Sequence, residues 1–308
     1  MNRLLAPLLT IALLVSCDGP FDRPFTPALY VNAIALLEDG PGYPGRLEYI
    51  VVNRTYAIDE EYEAEFPGAQ VSVSWRGRSY EYEHWEKDRY VLKDTSRVRP
   101  VSLDTLGLAV SMDGYDTVFG RTVVPGGFDI SWPRPGDTVT LRDSLVWTRG
   151  DGIAGFLISA DIQFGDQYFA FVYPNDTLPL STQLFFLSGL PEGERTFYIV
   201  GLDRNYYNWA RRGTGGPGGF NTADSFDLVG GAGVFGSGFQ RSVRFCFRCD
   251  STESLPPMSL PPGAFPVPRE RATLLRQRQL YQQEIVPGPG EGRVPGDQQP
   301  LPSLVPRD

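Results

Sequence analysis

Gln70-Val71-Ser72-Val73-Ser74-Trp75 places an apolar residue at every second position. That two-residue period is the signature of a half-buried β-strand. Reading outward in both directions finds further strand-like runs at Leu29–Leu36, Arg46–Asn53, Ser79–Tyr82, Arg89–Leu92, Leu106–Ser111 and Asp116–Val124. Turn-forming stretches such as Asp39-Gly40-Pro41-Gly42 and Asp113-Gly114-Tyr115 separate them. No segment here has a convincing 3.6-residue period. The expectation is a small antiparallel β-sandwich over residues 29–131.

Pro133-Arg134-Pro135-Gly136-Asp137 is a natural joint. A second strand series follows at Thr138–Leu141, Leu145–Trp147, Ile153–Ile162, Gln167–Tyr173, Gln183–Leu187 and Arg195–Leu202, with Phe239–Phe247 returning later. The predicted fold class is therefore all-β, with two antiparallel sandwiches in tandem and the second over residues 132–250. Asp203 to Trp209 fits either a short helix or a strand end, and a glycine-rich loop, Gly213 to Gly219, comes after it. The tail, residues 251–308, changes character, since Leu255 to Asp308 holds 12 of the 27 prolines. It is expected to be largely disordered, with one helix over Pro268–Ile285.

The amino terminus carries an address. A basic start at Arg3, a mostly apolar run from Leu4 to Val15 and a small residue before Cys17 make a secretory signal over residues 1–16. A membrane-spanning helix needs about 20 apolar residues. This run is shorter and meets Asp18, Gly19 and Pro20. Leu14-Val15-Ser16-Cys17 resembles the lipobox of bacterial lipoproteins, which implies acylation of Cys17 and a mature chain starting there. Residues 17–28, with Pro20, Pro24 and Pro27, read as a spacer.

Composition narrows the function classes. Removing sixteen of 308 residues leaves 292, enough for two domains with a real core. The net charge is −9, and the signal takes away Arg3 and no acid, so maturation moves it to −10. An acidic chain argues against nucleic acid, which is held by Lys and Arg on phosphates. It argues equally against peripheral binding to anionic lipid, leaving membrane attachment to the acyl chains.

Cys246 and Cys249 remain after Cys17 is spent on lipid. Outside the reducing cytosol, a local disulfide is the leading reading. Free thiols are the next, and a thioredoxin-like pair is disfavoured because that motif should open a helix after a strand. With His84 they supply three ligands, whereas structural zinc wants four. No metal or cofactor is expected.

Other motifs have plain readings. Gly231-Ala232-Gly233-Val234-Phe235-Gly236 matches the dinucleotide fingerprint, but the following Phe239–Phe245 alternates like a strand where a helix is required, so a glycine turn is expected. His84, the single histidine, reads as a partly exposed strand or turn residue. The acidic run Asp59–Glu65 reads as a solvated loop. No catalytic residue is assigned. Tyr206, Tyr207, Trp209 and Phe220 flank the glycine-rich loop and are candidates for a binding surface, with core packing as the plainer alternative.

Cys17 after its lipobox, Val71–Trp75, Thr122-Val123-Val124-Pro125-Gly126, the Trp147 strand, Leu202–Tyr207 and Gly230–Ser237 together resemble a group of uncharacterised, domain-of-unknown-function lipoproteins of Gram-negative bacteria. The order of the second strand series resembles a fibronectin type III or immunoglobulin-like module. The resemblance spans roughly residues 17 to 250. It implies an association with outer-membrane uptake systems and carries no activity.

The expected function is that of a lipid-anchored envelope lipoprotein at the outer membrane, a non-catalytic module for a glycan or an envelope protein. The alternative is a carboxylate-dependent glycoside hydrolase, which needs two acids about 5–10 Å apart.

Overall fold

The computed structural model describes residues 25–38, 47, 49–57, 60–61, 65–93, 100–164, 167–175, 180–184, 192–212, 225–248 and 265–266. The signal segment, Cys17, Phe220, Cys249 and the expected tail helix at 268–285 lie outside the described residues. The amino-terminal half supplies β1 (Leu29–Glu38), β2 (Tyr49–Arg54), β3 (Gln70–Trp75), β4 (Arg78–Glu86), β5 (Arg89–Leu92), β6 (Thr105–Ser111) and β7 (Val118–Val123). Next come β8 (Ile130–Trp132), β9 (Thr138–Val139), β10 (Ser144–Trp147), β11 (Gly155–Phe164), β12 (Gln167–Pro174), β13 (Ser181–Gln183) and β14 (Gly193–Leu202). The helix α1 (Arg204–Arg212) precedes β15 (Ser225–Phe226), β16 (Leu228–Val229), β17 (Ala232–Phe247) and β18 (Phe265–Pro266).

Among the described residues the chain is all-β apart from this helix. One large sheet has the order β16-β7-β6-β3-β4-β5-β2-β1-β17-β14-β11-β12-β18, and β9 and β15 also pair with β17. A second sheet has the order β13-β10-β8. Consecutive strands pair as hairpins at β1–β2, β3–β4, β4–β5, β6–β7 and β11–β12. The β3–β4 turn places Arg76 and Gly77 at φ of 50° and 75°, the two positive values a two-residue hairpin loop of matching twist requires.

The ladder crosses position 132, where the sequence suggests a joint. β1 and β17 run parallel and in continuous register from Tyr30 opposite Ala232 to Glu38 opposite Gln240. β17 is long because the glycine-rich stretch expected to turn is itself strand. Gly233 has φ of +107°, and a Cβ there would sit 2.0 Å from the Val31 carbonyl oxygen. Only glycine lets the two backbones come this close.

Two apolar layers flank the large sheet. On one face Val31, Ala33, Val73, Leu108, Val118, Phe156 and Phe235 belong to a single buried cluster. Trp147 on β10 joins the small sheet to it, meeting Phe156 at 5.6 Å and Tyr173 at 5.5 Å between ring centroids, both edge-on. On the other face Ile34, Leu36, Leu157, Val200 and Val234 lie under α1. The helix presents Tyr206, Trp209 and Ala210, all buried, at the i, i+3, i+4 spacing of one helical face.

Candidate functional site

The helix covers one part of the outer sheet face and leaves another open. Along β16-β7-β6-β3-β4 the cross-strand register reads Val229, Phe119, Ala109, Ser72 and Glu81 in one row. The adjacent row is Arg121, Gly107, Ser74 and Ser79. Their strand neighbours Val118, Leu108, Val110, Val71 and Val73 are buried, so alternation turns both rows outward.

The result is a shallow groove of about 730 Å³ floored by Ser72, Ser74, Gly107 and Ala109, with Phe119, Arg121 and Arg76 around it. The Ser74 hydroxyl lies over Gly107, where an added Cβ would come within 2.5 Å of Ser74 Oγ. Phe119 and Val229, opposite one another, are 54% and 71% exposed and form a small apolar pair beside the groove.

One end of the groove is fixed by Asp104. Its carboxylate accepts hydrogen bonds from Trp75 Nε1 at 2.8 Å and Val101 N–H at 2.9 Å and pairs with Arg76 at 3.2 Å. Partial burial works against its charge, but these donors outweigh it and hold the carboxyl below its ordinary range. Arg76 also lies over the Trp75 ring, 4.9 Å from its centroid.

Beneath β7 lies a buried polar seam. β7 and β17 are not hydrogen-bonded neighbours, yet they approach closely: a Cβ on Gly120 would be 3.1 Å from Phe235 Cβ. Side chains from the start of α1 fill the gap. Asp203 caps the helix, its Oδ1 accepting the Tyr206 N–H at 2.8 Å. Thr122 Oγ lies 2.5 Å from Asp203 Oδ2 and 2.8 Å from Ser237 Oγ, which donates to the Val123 carbonyl at 3.0 Å.

The Asn205 amide donates to the carbonyls of Arg121 and Phe235, both at 2.9 Å, and so bridges the two strands. Burial pushes the Asp203 carboxyl up to about 6. The Thr122 hydroxyl and the main chain of Tyr206 and Ser237 pull the other way, and the Asp227 carboxylate adds to the rise.

The residues singled out by sequence are placed as follows. Tyr206 and Trp209 are buried, 0% and 2% exposed, so they form the underside of α1 and not a binding surface. The reason is the helical spacing, which turns both rings onto the sheet. Tyr207 is half-buried at the edge of that layer, and its ring closes over Gly155. Cys246 is half-buried on β17, and the pairing expected with Cys249 involves a residue outside the described ones.

His84 is exposed on β4, with Nε2 2.8 Å from the Lys87 carbonyl. Gly233 and Gly236 lie inside β17, with no helix following, which removes the dinucleotide motif's structural context and corrects the expected glycine turn to strand. Within the acidic run, Glu60 pairs with Arg54 at 2.6 Å.

Phe119 and Arg121 were missed as a pair, although the Val118–Val123 strand itself was legible; their signal was the outward phase of that strand, opposite the buried Val118 and Thr122.

Among the described residues no helix is long and apolar enough to cross a membrane, and no group of three or more His, Cys, Asp or Glu could hold a metal ion. No protein-family model matches the chain, and no curated protein is similar to it.

Proposed function

We propose that the protein is a lipid-anchored lipoprotein of the cell envelope, held at the outer membrane through Cys17, and that it works as a non-catalytic binding module for a glycan or an envelope protein. The observation that carries this reading is the open groove on β3, β6 and β7, where Phe119 and Val229 stay exposed beside the Ser72 and Ser74 hydroxyls and the Arg121 guanidinium. An apolar ring beside hydroxyls and a cation is the chemistry that stacks on and hydrogen-bonds a sugar or a polar peptide surface. The small sheet packs through Trp147 on Phe156 and Tyr173 of the large sheet, a sandwich-like stacking, while β17 of the second series pairs with β1 of the first. The anchor rests on Leu14-Val15-Ser16-Cys17.

Two measurements test the reading separately. Cys17→Ala is expected to move the protein from the membrane to the soluble fraction, and unchanged fractionation refutes the anchor. A glycan array and a cross-linking screen against envelope proteins should give a ligand whose binding falls at least tenfold in Phe119→Ala and Arg121→Ala. Equal binding by wild type and both variants removes the groove from the reading.

A further inference from the structure

We infer that Asp203 acts as a neutral acid that latches β7 to β17, and that its ionisation loosens this seam. The inference is independent of the binding reading, because it concerns how the β7 edge of the groove is held. Three oxygen-to-oxygen contacts run in series: Asp203 Oδ2 to Thr122 Oγ at 2.5 Å, Thr122 Oγ to Ser237 Oγ at 2.8 Å and Ser237 Oγ to the Val123 carbonyl at 3.0 Å. Each needs a proton between its oxygens.

The two hydroxyls supply two protons. With Asp203 ionised, Thr122 gives its proton to the carboxylate, and the single proton of Ser237 must serve both Thr122 Oγ and the Val123 carbonyl. A proton on Asp203 completes the series. Asp203 then donates to Thr122, Thr122 to Ser237 and Ser237 to Val123, and every contact is satisfied in one direction.

The surroundings favour the neutral form. Asp203, Thr122 and Ser237 are 5%, 2% and 0% exposed, where an unpaired carboxylate is costly. The charged and titratable groups around it do not compensate. Arg121 on β7 turns its side chain to the outer face, and its carbonyl is what the seam uses. Arg204 of α1 is exposed. On α1 the titratable groups beside it are the phenols of Tyr206 and Tyr207, and β17 has no titratable residue from Ala232 to Gln240. Asp227, before β16, repels a second negative charge. The Thr122 hydroxyl, the main chain of Tyr206 and Ser237 and the helix start favour a carboxylate, but burial outweighs them.

The consequence is local. Above the transition the Ser237–Val123 link or the Thr122–Ser237 link is left without its proton, and β7 loses part of its side-chain attachment to β17.

The test compares the thermal midpoint of the purified full-length protein and Asp203→Asn from pH 4.5 to 8. The amide supplies a permanent donor to Thr122 and an acceptor for the Tyr206 N–H. The wild-type midpoint should fall relative to the variant by roughly 5 °C as pH rises through 6, and parallel curves overturn the inference. Hydrogen exchange on the wild type alone gives a second reading that needs no variant. Protection of the Val118–Val123 peptide, corrected for intrinsic exchange, should drop at least threefold over the same range while that of Gln70–Trp75 stays level. Equal loss or no loss in both peptides also overturns it.

Discussion

A single amide shows how much one side chain does at the β7–β17 seam. Asn205 is 6% exposed and donates to two main-chain carbonyls, one on each strand of the seam. Each buried carbonyl left without a donor costs about 1–3 kcal/mol. Asn205→Leu, which keeps the volume and removes both donors, is expected to destabilise the protein by roughly 2–4 kcal/mol in chemical denaturation. A loss below about 0.5 kcal/mol would mean that other groups hold the seam.

Asp203 at its side sets a pH dependence of definite sign. Its carboxyl is raised from 3.8 to about 6 on folding, so the native state binds the proton more tightly than the unfolded chain. The stability it contributes is complete below about pH 4 and is lost as pH rises through 6, by roughly 3 kcal/mol.

At the scale of elements, the close contacts at glycine distinguish strand from turn. Gly233→Ala must push a Cβ into the Val31 carbonyl and break the β1–β17 register, so soluble folded protein is expected to disappear or to lose more than about 3 kcal/mol. Gly77→Ala is the control, with positive φ and nothing within 4 Å of the added carbon. Its cost should stay near about 1 kcal/mol, the conformational penalty alone. Equal effects at the two positions would remove the close approach as the reason for Gly233.

Most strands were legible because their period is local. Gln70–Trp75 and Arg89–Leu92 coincide with the expected spans. β17 was expected from Phe239 and begins at Ala232, since glycines 233 and 236 answer to Val31 and to the Tyr206 backbone, neighbours remote in sequence. The same helix explains Tyr206 and Trp209. Aromatics beside a glycine-rich loop suggest exposure, whereas the i, i+3, i+4 placement with Ala210 buries them.

For the whole molecule, the ladder through β1 and β17 ties the two strand series together. One buried cluster contains Leu29 and Val73 from the first series and Phe156, Phe197 and Phe247 from the second. Calorimetry of the full-length protein is therefore expected to show one cooperative transition with equal calorimetric and van't Hoff enthalpies. Two resolved transitions would show that the series unfold as separate units despite the shared strands.

Alternation, turns and charge in the chain itself determined the all-β class and the positions of most strands, because each depends on neighbours a few residues away. The lipobox reading of the amino terminus is equally local. Only the tertiary structure decided that β1 lies parallel to β17, that α1 covers one stretch of sheet and leaves Phe119 and Arg121 open, and that Thr122, Asp203 and Ser237 meet. Those residues are separated by 81 and 115 positions along the chain from Thr122, and their chemistry arises from a shared buried space that no local period encodes.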